Sequence, residues 1–357
     1  MNENKELKLT VSSSPHVNSP VSTRSLMLDV LIALIPALCM GVYFFGPRAL
    51  VLTLVSVAGC EAFEMLYRKL LKKPGTAGDL SAAVTGVLLA FVCPVALPYW
   101  TILIGDFFAM MVVKQLFGGL GKNFLNPALA GRAFLMLSYP VFMTTWVKPG
   151  INNWFGITAA VGDAVTAATP MGTMHGSTVA AATLPWLGEA GSTLQDLFIG
   201  NVGGCIGEVS ALALIIGGAY LIFRGVINIR IPGAYIGTVA VLTLIFAKGD
   251  NNFMWMLSQL FGGGLMLGAF LMATDYVTSP CTPKGEIIFG VGCGLLTVFI
   301  RYFGGYPEGV SYAILLMNVC TPIIEKYTHP SRFGVSKEDL KAAKEAAKAA
   351  KKGGAEA

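Results

Sequence analysis

Three groups of residues in this chain have types and spacings that could do chemistry. In GKNFLNPALAGRAF, residues 121–134, Asn123 and Asn126 stand one helical turn apart just ahead of Pro127. Two amides so placed can offer donors and acceptors together to the edge of a flat heterocycle, and Gly118 and Gly119 upstream allow close approach of backbone. The same residues also make an ordinary helix start, with Asn126 as cap and Pro127 in the first turn. Both readings stand on the spacing. The second group is acidic: Glu61, Glu64, Asp106 and Asp275 fall within or beside apolar runs. A charge near mid-bilayer costs about 2.5–3.5 kcal/mol on insertion scales, so each marks an ion path, a polar pocket around a redox group, or a hydrogen bond between helices. Arg68 four residues on answers Glu64. Glu61 reads as deeper, so Glu61, Asp106 and Asp275 are the ion-path candidates, while Glu208 and Arg301 read as interfacial. The third group is VGDAVTAATPMGT, residues 161–173, a run of small residues opened by Asp163 and closed by Pro170, with the hydroxyls of Thr166 and Thr169 between them.

The elements that must position these groups are membrane helices. The 357 residues are 54% hydrophobic and 13% charged, which is the composition of an all-α polytopic membrane protein. The net charge of +5 sits in short basic clusters beside apolar runs and in a C-terminal tail, a distribution that reads as membrane orientation and excludes nucleic acid as partner. The seven cysteines are scattered singly with no CxxC spacing, so neither a disulfide framework nor a metal or iron–sulfur site is expected from this chain alone. The first 25 residues lack a signal-peptide pattern.

Runs long enough to cross a bilayer lie near 26–46, 48–68, 79–96, 98–117, 128–146, 203–223, 231–248, 254–274, 286–303 and 309–326, giving about ten spans. Basic residues collect after the second span, around Lys122 and Arg132, after the sixth, after the eighth, and in the tail. All fall on one side if both termini are cytoplasmic. The loop 147–202, whose one basic residue is Lys148, then faces outward. VVKQLFGGLGKNFLN, residues 112–126, lines up with TVFIRYFGGYPEGVSY, residues 297–312, through a shared FGG, and LIALIPAL (31–38) with ALALIIGG (211–218). Such offsets predict two five-span halves, and an odd number of spans makes them inverted. Cys93-Pro94 and ATDYVTSPCTP interrupt matching spans, and broken helices at membrane depth must line a cavity or bury in protein. The predicted organisation is therefore a cytoplasmic segment 1–25, a first repeat 26–146, an outer loop 147–202, a second repeat 203–326, and a basic cytoplasmic tail 327–357 able to touch anionic membrane lipid.

The motif Asp163-Ala164-Val165-Thr166-Ala167-Ala168-Thr169-Pro170 resembles the flavinylation motif of the family that includes the D subunit of the Rnf electron-transport complex and the B subunit of the sodium-pumping NADH:quinone reductase. SPHVNSP (14–20), FGGLGKNFLNPALAGRAFL (117–135), FLMATDYVTSP (270–280) and IRYFGGYPEGVSYAILLMN (300–318) extend the resemblance over nearly the whole chain. Length and the short N-terminus look more like the Rnf branch of that family. The resemblance implies a bundle related to urea channels. It further implies FMN held by a phosphodiester to Thr169 and installed by a flavin transferase, with Thr166 the alternative attachment site. By the same resemblance Asn123 and Asn126 contact a noncovalent riboflavin. A Thr hydroxyl without an adjacent base needs activation by the transferase, and Pro170 biases Thr169 to extended backbone, predicting an outward side chain. The implied function is electron transfer across the cell membrane in an ion-translocating ferredoxin:NAD+ oxidoreductase, coupled to Na+ or H+. The implied partners are a second FMN-bearing subunit, small membrane subunits with an iron–sulfur centre, and cytoplasmic NAD and ferredoxin subunits. The alternative for an inverted-repeat bundle is a solute channel or transporter without redox role.

Overall fold

A computed structural model of the chain describes residues 21–72, 77–147, 149, 169–175, 194–248 and 251–329. Asp163, Thr166, the first twenty residues and the Lys-rich tail lie outside the described residues. Those described are helical, with no strand beyond one isolated bridge between Pro94 and Cys205.

α1 (Thr23–Phe45) and α2 (Pro47–Leu70) are joined at Gly46, whose φ of 79° suits a residue without a side chain, and Pro47 fits the first helical position because it has no N–H to leave unpaired. α3 (Ser81–Phe91) is short and almost wholly buried. α4 (Tyr99–Phe107) continues into a π-helical segment, Phe108–Gln115. α5 (Pro127–Ser138) is followed by the short α6 (Pro140–Met143), α7 (Pro170–His175) and α8 (Leu194–Ile199). α9 (Ala211–Phe223) and α10 (Arg230–Ile245) come next. α11 (Asn252–Phe261) bends by 61° into α12 (Leu265–Leu267), which runs on as a second π-helical segment, Gly268–Met272. α13 (Pro283–Phe303) and α14 (Val310–Thr328) complete the order.

Among the described residues α1, α2 and α13 are long and apolar enough to cross a bilayer, and the bent α11–α12 pair passes as a fourth span. α14 is long enough at 19 residues but is not among those that also pass on composition, and the other apolar runs are carried by shorter or interrupted helices. Run 79–96 is helical only to Phe91, run 128–146 breaks at Tyr139-Pro140, and run 203–223 becomes helical only at Ala211. Apolar composition marks what is buried, whereas helix length depends on where the backbone can be interrupted and still paired. Here it is paired. Ile206 N–H donates to Cys93 O at 3.1 Å and Gly207 N–H to Phe91 O at 2.9 Å, so the two irregular stretches satisfy each other. Arg48 Nε donates to Val95 O at 2.9 Å, and Arg301 donates to Gln259 O (2.6 Å), Gly262 O (3.1 Å) and Gly263 O (3.3 Å).

α1 lies antiparallel to α9: Asp29 accepts from Tyr220 Oη at 3.0 Å and from Arg224 Nη2 at 3.2 Å, while Gly41 faces Ile206 further along. α5 lies antiparallel to α14, with Arg132 donating to Ser311 Oγ at 3.1 Å and Asn126 beside Asn318 at the other end of the contact. α2 packs on α3 and α4, and α10 packs on α11 and α13. Small residues permit these close approaches, as is usual for membrane helices.

Gly217 on α9 is the tightest of them: a Cβ there would fall 2.2 Å from Ala33 O. Gly217→Val should separate α1 from α9 and destabilise the protein by about 1–3 kcal/mol, read as a lowered thermal midpoint in detergent. Gly237→Ala, with open space around the new Cβ, should leave the midpoint unchanged or slightly raised.

Candidate functional site

Two cavities lie along α5. The first surrounds its N-terminus and encloses about 770 Å³ including its open mouth. Asn123, Asn126, Lys114, Ser81 and Asp275 give it polar groups, while Met27, Val30, Val84, Leu88 and Leu271 supply apolar walls. Asn126 Oδ1 accepts from the N–H groups of Ala128 (3.1 Å) and Leu129 (3.3 Å), and its Nδ2 donates to Met272 O at 3.3 Å. It is thus a helix cap that also faces the cavity, so the two sequence readings are compatible. Asn123 Nδ2 donates to Leu125 O at 3.0 Å, and its side-chain oxygen has no partner among the described residues. Gly118 and Gly119 take φ of 116° and 92°, conformations that need glycine, in the turn leading to these amides. Asp275 organises the break after the second π segment, accepting from Thr278 Oγ1 at 3.2 Å and Val277 N–H at 3.4 Å. Tyr276 Oη donates to Val226 O and ties that break to the end of α9.

The second cavity, about 550 Å³ including its mouth, is lined by Thr169, Arg132, Met136, Trp146, Tyr306, Glu308 and Tyr312. The rings of Tyr306 and Tyr312 lie 5.1 Å apart. Thr169 is 7% exposed and its Oγ1 accepts from Gly172 N–H at 3.0 Å, capping α7. This corrects the outward side chain expected from Pro170. Proline does begin the helix, but the hydroxyl that precedes a helix turns back to its free N–H groups. α7 is held down by Met171 and Met174 against Trp255 and by a 2.7 Å hydrogen bond between His175 Nε2 and Gly304 O.

Arg132 connects this cavity to the bundle centre. It pairs with Glu208 at 3.0 Å and with Glu308, and approaches Cys205 Sγ at 3.8 Å. In the sequence Arg132 reads as a cytoplasmic loop charge, and Glu208 and Arg301 as interfacial. The structure shows all three turned into the protein: Arg132 is 5% and Arg301 4% exposed, and Glu208 is largely enclosed, because each charge has found a buried partner. Cys205, Glu208 and Glu308 bring their ligand atoms within 4.8 Å of one another, but Arg132 already occupies the charge role there.

The acidic candidates separate. Glu61 is half-buried and makes no ion pair among the described residues, whereas Glu64 is 2% exposed, accepting from Gln115 Nε2 at 2.8 Å and pairing with Lys114 (3.5 Å) and Arg68 (3.7 Å). Glu64, not Glu61, is thus the one turned into the protein, because three residues of α2 amount to less than a full turn and point the two side chains in different directions. Asp106 is fully buried, accepting from Ser56 Oγ at 2.7 Å and Cys60 Sγ at 3.3 Å, and lies apart from both cavities. Ser56, Cys60 and Glu64, spaced by four, form one polar stripe on α2. Sequence reasoning missed Lys114, Glu308 and that stripe, although a charged residue inside an apolar run was signal enough.

Arg132→Met should leave two carboxylates uncompensated in the bundle and cost about 3–5 kcal/mol, read by thermal unfolding in detergent. Adding Glu308→Gln to that variant should restore part of the loss.

Comparison with known proteins gives a consistent picture. The NQR2, RnfD, RnfE family profile matches residues 10–334. The chain is 50% identical over 336 residues to the D subunit of the Na+-translocating ferredoxin:NAD+ oxidoreductase complex of Acetobacterium woodii, covering 93% of this chain and 97% of the relative. It is 44% identical over 331 residues to the D subunit of the proton-translocating ferredoxin:NAD+ oxidoreductase complex of Clostridium ljungdahlii, covering 91% and 96%. With the D subunit of the ion-translocating oxidoreductase complex of Actinobacillus succinogenes it shares 36% over 345 residues, covering 91% and 97%. On that breadth of match, over both cavities and the helices that frame them, the chain belongs to the NQR2, RnfD, RnfE family.

Proposed function

We propose that this chain is the D-type membrane subunit of an Rnf ion-translocating ferredoxin:NAD+ oxidoreductase, carrying electrons through the membrane on flavins. The observation that carries the proposal is the near full-length match to relatives named as the D subunit of that complex. It is an oxidoreductase translocase subunit, not a catalyst alone, and a multi-pass membrane protein. The named relatives differ in ion, one Na+ and one H+.

The finer reading has FMN joined through a phosphodiester to Thr169 by a flavin transferase, and a noncovalent riboflavin in the first cavity. In support, Thr169 borders a cavity with aromatic walls, suited to a flat ring system. The first cavity has apolar sides and an amide edge. The flavin supplies one- and two-electron chemistry when bound. The chain's own task is to hold it: Asn123 offers a free carbonyl oxygen and Asn126 an amide N–H, while Tyr306 and Tyr312 present ring faces beside Thr169.

We also infer ten spans in two inverted repeats, 26–146 and 203–326, with cytoplasmic termini and the loop 147–202 outside. The antiparallel packing of α1 on α9 and α5 on α14, the helices that correspond between the halves, supports this. So does the matching left-handed residue before α3 and α12, Leu80 at φ 59° and Gly264 at φ 67°. Partners on this reading are a second FMN-bearing subunit, small iron–sulfur membrane subunits, and the cytoplasmic NAD and ferredoxin subunits. The solute-channel alternative has less support, since the relatives matched over nearly the whole chain are named as subunits of an oxidoreductase complex.

Co-expressed with its transferase, the chain should give a flavin-fluorescent band on a denaturing gel, and Thr169→Ala should give a dark one. A dark wild-type band would overturn covalent attachment. Asn126→Leu should strip acid-extractable flavin from the purified complex while leaving the fluorescent band.

A further inference from the structure

Among the described residues, the first cavity has one cation in its wall. Lys114 sits in the π-helical segment of α4, is 2% exposed, and borders the same space as Asn123 and Asn126. Its ammonium has three N–H donors. One meets Ser81 Oγ at 2.8 Å, and Glu64 lies at a looser 3.5 Å. Glu64 is also shared with Arg68 at 3.7 Å and with the amide of Gln115 at 2.8 Å. One carboxylate is therefore shared between two cations. Lys114 is the member of that group that borders the cavity, and the carboxylate of Asp275 borders it too. A π-helical turn is a costly departure from α geometry that recurs at functional sites. The second π segment, Gly268–Met272, borders the same cavity through Leu271.

We propose that Lys114 is a positioning residue that sets the reduction potential of a flavin held in this cavity, with Glu64 tempering its charge. This rests on the reading of the cavity as a noncovalent flavin site. Reduction places an electron, delivered by a one-electron donor of the iron–sulfur class, on the ring, and protons follow from water. No bond to the chain forms or breaks. A fixed positive charge within the low-dielectric interior favours the reduced ring. The two neighbours then have opposite effects on potential: removing Lys114 makes the flavin harder to reduce, and removing the charge of Glu64 makes it easier.

The test is a potentiometric titration of the purified complex, the cavity's flavin being identified as the component lost in Asn126→Leu. At the wild-type midpoint, Lys114→Met should raise the oxidised-to-reduced ratio about tenfold, and Glu64→Gln should lower it, with Lys114→Arg within about threefold of wild type. A merely structural role would not give opposite signs. Two variants with the same sign, or a ratio unmoved in flavin-replete Lys114→Met, overturn the proposal. If Lys114→Met loses the flavin, Lys114→Gln and Glu64→Gln carry the same comparison. A wild-type complex without extractable flavin overturns the cavity reading itself, a result distinct from a flavin that is present but unshifted.

Discussion

A polypeptide inside a bilayer cannot leave peptide groups unpaired, and this chain interrupts its helices repeatedly. Everything at its centre follows from how the interruptions are satisfied. After Phe91 the backbone leaves the helix and finds the irregular stretch before α9, and each supplies the hydrogen bonds the other lacks. Arg48 closes the carbonyls that follow. At the bend between α11 and α12 the carbonyls converge on Arg301. Both arginines spend guanidinium donors on backbone carbonyls. They are the condition on which cavities can exist at membrane depth at all.

Much of this was legible in the sequence. Asn126-Pro127 reads as a cap followed by a first-turn proline, and it is one. Cys93-Pro94 and the TSPCTP stretch mark real breaks, because proline lacks the N–H that a helix interior needs. The Glu64–Arg68 pair follows from a spacing of four. Span lengths were less legible, since buried irregular backbone is as apolar as helix.

Long-range partners explain the remaining errors. Arg132 looks like a loop charge because it stands one turn after a polar stretch, yet its carboxylates come from more than seventy residues away. Glu61 and Glu64 differ by less than one helical turn, and only the position of α4 decides which is buried. The stripe Ser56, Cys60, Glu64 could have decided it, because three polar residues spaced by four in an apolar helix define the face turned to protein. The π-helical segments left no signal: FAMMVVKQ and GAFLM read as ordinary helix. Without the first, Lys114 would sit at a different angle around its axis.

α5 has a cavity beside its cap and another beside Arg132 and Met136. Asn126 and Arg132 are separated by about 9 Å of helix rise. A helix so short is stiff along its length, and Gly131 seats it closely against Gly105. It is one short rod whose two ends form part of the walls of two chambers, so the shape of each depends on where the same helix is seated.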